Sequence, residues 1–270
     1  MKFPSFLFML LLAMLLGSSA LVAFQNRGVP FLGEDEDDPV QLSASEMNQK
    51  TAEWTFARFH YDLNGEWGFR GFQRWAADYP KADRQFVRGV RRLTRLQARP
   101  MEEVVDANSD DIFNWPWTYV EDAGGWQISP AQGARLREYF ARGGFMMLED
   151  SHGDYEWERL MEGIRMILPN AKVEDLPNDD PLFHVMYDLD DRFQIPGTRY
   201  IWGRRMYTPD SAVPKWRGIR DEKGRIIIGI CHNSDVGDAW EWADSPNYPE
   251  NAASLAYRIG INFIIYGMTH

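Results

Sequence analysis

The sequence holds one cysteine, Cys231, among 270 residues. A lone thiol makes no internal disulfide and cannot supply a multi-cysteine zinc site, although it leaves export open. Positive charge is in short supply as well: 29 Lys and Arg face 40 Asp and Glu, giving a formal net charge of −11 and a pI near 5.0. Nucleic acid and anionic lipid are bound through basic surfaces, so no nucleic-acid partner is expected. Beyond the amino terminus, long uninterrupted apolar runs are missing. The apolar stretch 252–268 carries Arg258 and Asn262, which assigns it to burial against a sheet rather than to a bilayer. Core-forming material is abundant: with 44% hydrophobic and 14% aromatic residues, the chain can bury one substantial core, and one large domain is expected.

At the amino terminus Lys2 precedes an apolar run over 6–16 and the small residues Gly17, Ser18, Ser19 and Ala20. This is the layout of a secretory signal peptide, with cleavage after Ala20 or Ala23. The apolar stretch 3–24 also reaches the ~20 residues that span a bilayer, so an uncleaved anchor stays open, and membrane contact is expected only through it. Both readings put the domain outside the cytoplasm, periplasmic or secreted. The next segment is acidic, with Glu34, Asp35, Glu36, Asp37 and Asp38 in succession and no apolar periodicity, and reads as a linker. The expected organisation is therefore leader or anchor over 1–23, linker over 24–51 and one domain over 52–270.

Within the domain, the stretch 139–153 ties a helix end to a buried strand and a polar cluster. Ser129 and Pro130 form an N-cap and a proline at the first helical position; Leu136, Tyr139 and Phe140 share a face, and Gly143 and Gly144 can end the helix. The apolar run 145–148 then reads as a strand covered on both faces, delivering Glu149, Asp150, Ser151 and His152 to its carboxyl end. Upstream, 54–61 reads as a first strand followed by Asp62 and an Asn64–Gly65 turn. Phe86, Val87, Val90, Leu93 and Leu96 predict an amphipathic helix over 81–98, whose arginines (84, 88, 91, 92, 95 and 99) read as a solvated face paired with nearby acids. Strands are expected at 103–106 and 117–120, a helix over 155–167 stopped by Pro169, and a long excursion over 190–215. A hairpin joins 215–221 to 225–230 through Asp221, Glu222, Lys223 and Gly224, and a helix covers 252–268. Alternation of strands and helices in this order is an α/β signature.

The segments FARFHYD, IFNWPWTYV, LREYFARGGFMMLEDS, LPNDDPLFHVMYDL, GRIIIGICHNSDVGDAWEW and YRIGINFIIYGMTH, in order from Ala52 to His270, resemble the bacterial domain-of-unknown-function family 4159. At greater distance the same order is similar to the ThuA-like branch of the class I glutamine-amidotransferase-like fold. That resemblance implies a flavodoxin-like three-layer sandwich with a mainly parallel central sheet. It also implies a cysteine nucleophile on the turn after the strand at 145–148, where this chain has Asp150, Ser151 and His152; Cys231, on another strand, does not replace it.

In open α/β sheets ligands bind at the carboxyl ends of the strands. Asp62, Asp150, His152, His232 and Asp235 all fall at such ends, with Ser151 and Asn233 alongside. Carboxylates and imidazoles so placed can hold a divalent metal or serve as general acid and base; alternatively they cap helices and bond backbone. The strands ending at Tyr61, Glu149 and Ile230 are expected to be neighbours, with aromatics of 200–216 as a wall. Ser151 and His152 are adjacent in sequence and lack a G-x-S-x-G elbow, which argues against a nucleophile pair, and Cys231 reads as a packing residue. The expected function is an extracytoplasmic domain that binds a small polar ligand or an envelope protein, without glutaminase activity. The alternative is a hydrolase acting on a sugar or amide through a carboxylate and His cluster, with or without a metal. No cofactor and no catalytic residue is assigned by sequence.

Overall fold

The two strands with unbroken apolar runs, β6 (Phe145–Ser151) and β9 (Ile226–His232), lie side by side in the sheet, and every residue of both is buried. This is what cover on both faces demands. The computed structural model describes residues 42–49, 51–63, 73–203 and 206–270. The leader or anchor and most of the linker expected from sequence lie outside the described residues. In the described part of the linker, Ala44–Met47 forms one helical turn, with a capping box made by Ser43 and Glu46.

The seven-stranded sheet has the order β3 (Glu103–Asp106), β1 (Ala57–His60), β4 (Trp117–Val120), β6, β9, β8 (Lys215–Arg220), β7 (Val173–Asp175). From β3 through β9 the strands run parallel; β8 is antiparallel to β9, and β7 to β8. Helices α1 (Lys81–Leu93), α4 (Val236–Glu241) and α5 (Glu250–Thr269) pack on one face. Their core contains Phe86, Trp240 and Phe263 against Phe56, Trp117 and Phe145 of the sheet. Helices α2 (Pro130–Ala141) and α3 (Gly153–Ile167) cover the other face through Leu136, Phe140, Leu160 and Ile164 against Met146, Leu148 and Ile228. The chain is thus a three-layer α/β structure with a mostly parallel sheet. Among the described residues no helix is long and apolar enough to cross a membrane.

Local signals read from the sequence account for most of these elements. Ser129 accepts from the Gln132 N–H in a full capping box, and Gly143, at φ 101°, takes the left-handed conformation that closes α2. The helix expected over 81–98 stops earlier, at Leu93, because Thr94 turns extended and its hydroxyl donates to the Val90 carbonyl; Leu96 packs from outside the helix. On the exposed side of α1, Arg84 pairs with Glu102 and Arg91 with Glu46. The strand that begins with the apolar run 145–148, expected to end at Glu149, continues to Ser151. The adjacency expected for the strands ending at Tyr61 and Glu149 is also corrected: β4 lies between β1 and β6. A short ladder of β2 (Asp62–Leu63) with β5 (Trp126–Gln127), and the edge strand β7, had no sequence expectation.

Candidate functional site

Alternation along the strands sends every second side chain to the same face. On the α1/α4/α5 face, Tyr119 of β4 is followed by Glu121, Met147 of β6 by Glu149, and Phe56 by Arg58 of β1. The parallel strands therefore deliver charge to their carboxyl edge directly above an aromatic core. At that edge β6 bulges: Glu149 pairs with Cys231 and Ser151 with His232, which leaves Asp150 as the extra residue, at φ 48°. Among the described residues the non-glycine left-handed positions are Asp78, Asp122, Asp150 and Asn233, all on this edge. Asp and Asn tolerate that conformation better than other side chains, and its concentration in one place is typical of a functional edge.

Two buried ion-pair systems brace the edge. Arg58, fully buried, forks onto Asp83 of α1 and donates from Nη1 to the carbonyls of Trp75 and Ala77, 2.9 and 3.1 Å away. Those contacts hold the segment whose next residue, Asp78, enters the site. Burial opposes the Arg58 charge, but the attraction of Asp83 outweighs it and keeps the guanidinium charged. Arg74 likewise bonds Asp122 and reaches Glu156 at 3.3 Å.

Next to them lies a group of carboxyls that face one another, with Arg58, already held by Asp83, 3.9 Å from Glu121. Glu121, Glu149 and Asp235 each present an oxygen within 4.8 Å of the others, and Asp235 groups in the same way with Asp78 and Asp238. Tyr119 Oη sits between Glu121 Oε2 and Glu149 Oε1, and Glu149 Oε2 accepts from the N–H groups of Val236 and Gly237. Burial and the neighbouring Asp150 charge push the Glu149 carboxyl up to about 7. Burial, with Glu149 and Asp78 near it, pushes Glu121 well above the carboxylate range; burial with Asp150 and Asp238 does the same to Asp235, and burial with Asp238 and Glu241 to Asp78.

Alongside is a mixed-charge pocket wall. His152 Nε2 lies 2.9 Å from Asp150 Oδ1, and Arg199 Nη2 lies 3.9 Å from Asp150 Oδ2. Burial works to raise the Asp150 pKa, yet the His152 hydrogen bond and the Arg199 charge hold it below the usual range. An ionised Asp150 accepts, so Nε2 carries a hydrogen. Nδ1 has no hydrogen-bond partner among the described residues, although His152 is only 6% exposed. The stacked rings of Tyr200 and Tyr207, 3.8 Å apart, stand beside the imidazole, so the 190–215 excursion does contribute aromatics here.

The remaining residues proposed from sequence take other positions. Asp62 is exposed on β2, opposite Gln127, and is not among the clustered carboxyls. Ser151 Oγ lies 3.0 Å from His232 Nδ1, but burial, followed by Arg217, His152 and Lys215, lowers His232 to about 3, too weak a base to take the serine proton well. Asn233 is a strut: its Oδ1 accepts from the Gly153 N–H, and its Nδ2 donates to the carbonyls of Asp210 and Val213. Asp235 caps α4 by accepting from the Asp238 N–H through Oδ1. Cys231 is buried, and burial together with the Glu149 charge pushes its thiol up, which disfavours the thiolate.

Glu121, Asp78, Asp238 and Arg199 had not been expected in the site. Glu121 follows a strand that is readable from sequence, so the strand-end rule reaches it; Asp78 carries no local signal. A cavity of about 880 Å³ opens at the opposite, amino edge of the sheet, near Arg142, Gly143 and His270. There Arg225 is committed to the carbonyls of Gly143 and Gly144. No curated protein matches the chain. The family model for the Domain of unknown function (DUF4159) matches residues 55–268, from just before β1 to the end of α5, and the chain belongs to that family.

Proposed function

We propose that this is an extracytoplasmic binding domain of the flavodoxin-like class whose carboxyl-edge crevice takes a small polar ligand, and that it has no glutaminase activity. Lys2, the apolar run 6–16 and the small residues after it support export. Numbered along the chain, the parallel strands β1, β3, β4, β6 and β9 have the order 2-1-3-4-5, which supports the flavodoxin-like class. Asp150 in place of a cysteine at the end of β6, and a buried Cys231 with a raised pKa, count against glutaminase chemistry. The observation that carries the binding reading is His152. A buried ring nitrogen without a partner costs about 1–3 kcal/mol, a penalty that a ligand's hydrogen-bonding group would remove. Arg199 beside it, about two-fifths exposed, suits a ligand bearing a carboxylate or other electron-rich group.

The test is a thermal-shift screen of monosaccharides, amino acids and small carboxylates on wild type, His152→Ala and Asp150→Asn. At least one compound class is expected to raise the wild-type Tm and neither variant's. A screen in which every shift survives both substitutions would sink the reading. The hydrolase alternative draws on the same geometry, because an imidazole oriented by a carboxylate with its other nitrogen free is the arrangement of a general base. Turnover of fluorogenic glycosides or amides by wild type, lost in His152→Ala and kept in Cys231→Ser, would favour it over binding alone.

A further inference from the structure

We infer that Glu121, Glu149 and Asp235 form a binding site for one hard divalent cation, of the Mg²⁺, Mn²⁺ or Ca²⁺ kind. The site uses side chains other than Asp150, His152 and Arg199, so it goes beyond the ligand crevice and either can fail alone. The three carboxylates are 1%, 0% and 2% exposed, and their oxygens lie within 4.8 Å of one another. Three oxygens spread evenly around one Ca²⁺ at 2.3–2.6 Å are separated by up to about 4.5 Å, so at most a small inward shift of these side chains brings all three onto one ion. Like charges buried this closely need a proton or a cation among them. Arg58 is the guanidinium nearest to Glu121, 3.9 Å away, but it is committed to Asp83 and two backbone carbonyls.

Two independent features point to an ion. Glu121 Oε1 has no hydrogen-bond partner among the described residues, although the side chain is buried and its carboxylate belongs to the triad. The backbone around the group is also cut back to glycine. A Cβ on Gly237 would lie 2.6 Å from Glu121 Oε2, 2.8 Å from Asp78 Oδ2 and 2.8 Å from Tyr119 Oη, and one on Gly197 would lie 2.4 Å from Asp235 Oδ2. Glycine at these places lets the oxygens converge. Tyr119 Oη, in hydrogen-bond contact with both Glu121 and Glu149, has one proton to give, so the second contact calls for a protonated carboxyl or a nearby cation. The donors are all oxygen, with no thiolate or imidazole in the group, which selects hard cations over zinc or copper.

The test uses the full-length protein stripped with EDTA and titrated with MnCl₂, reading free Mn²⁺ by electron paramagnetic resonance, with MgCl₂, CaCl₂ and ZnCl₂ as competitors. Saturable binding of about one equivalent is expected, displaced by Mg²⁺ or Ca²⁺. Glu121→Gln and Asp235→Asn should each weaken it at least ~10-fold, while Asp62→Asn, exposed on β2 and outside the cluster, leaves it within about threefold. Near-UV circular dichroism checks that the variants are folded, and Gly237→Ala replaces either that is not. Absence of saturable Mn²⁺ binding by wild type would overturn the site and leave shared protons as the way the carboxyls coexist. Binding unaffected by both triad substitutions would overturn it equally, placing the ion elsewhere.

Discussion

Under β1, Arg58 and Asp83 are both wholly buried and hold one another, with the remaining Arg58 hydrogens on backbone carbonyls. Along the same sheet edge Glu121, Glu149 and Asp235 are just as buried, but they face one another. Both groups rest on the same aromatic layer, and Tyr119 touches both: the Arg58 guanidinium lies 5.0 Å from its ring, while its hydroxyl contacts the two glutamates. Burial is thus not what separates them. The paired set is satisfied within the fold and so acts as structure; the carboxyl set is left with an excess of like charge, which only a proton or an external cation removes. The first is expected to be costly to break, the second to be costly to keep.

The largest expected effect is at Arg58. Arg58→Met leaves Asp83 buried without its partner and releases the segment that carries Asp78 into the site, so a loss of about 3–5 kcal/mol is expected in urea unfolding. Gly237→Ala comes next: its methyl would strike oxygens of Glu121, Asp78 and Tyr119, and the side-chain shifts needed should cost about 1–3 kcal/mol by the same measurement.

A smaller effect separates His232 from both sets. Its pKa of about 3 in the fold lies below the ordinary 6.5, so above pH 6.5 neither state is charged and there is no penalty. As pH falls from 6.5 toward 3 the unfolded chain takes up a proton that the folded one does not, and stability is lost. Arg217 and Lys215 of β8, His152 beyond β6 and Asp210 in the 190–215 excursion surround the ring and bias its titration. Between about pH 6.5 and 5, wild type should lose roughly 2 kcal/mol more than His232→Gln. Equal pH slopes for the two proteins would show that the ring is not held neutral.

The contrast between the two charge sets also explains what could be read from sequence. Helix α2 was legible because its signals are local: Ser129 and Pro130 stand side by side at its start, and Gly143 ends the helix in a conformation that glycine favours. The hairpin of β8 and β9 and the buried run of β6 were legible for the same reason, since turn chemistry and apolar runs need no distant partner. Arg58 inside ARFH gave no sign of burial, because its partner is 25 residues away on a helix. Strand order was equally hidden: β4 sits between β1 and β6 through packing that no segment encodes alone, and with it Glu121 enters the site. The strand-end rule reaches Asp150 and Asp235, which lie on the carboxyl edge. Asp62 followed the same rule and stands apart, because the chain beyond β1 continues into a separate ladder with β5.

The most direct measurement is the stability of Glu121→Gln against wild type, both in EDTA, by urea unfolding at about pH 8 and about pH 5. The folded pKa of Glu121 is raised above its ordinary 4.5, so its contribution to stability is fully present below that value and is lost as pH rises through the folded pKa. A neutral isostere does not titrate. The variant is therefore expected to be at least as stable as wild type at about pH 8, with the comparison shifting toward wild type at about pH 5. A loss of more than about 2 kcal/mol at about pH 8, comparable to breaking the Arg58 pair, would contradict the account by showing that the Glu121 charge is satisfied within the fold.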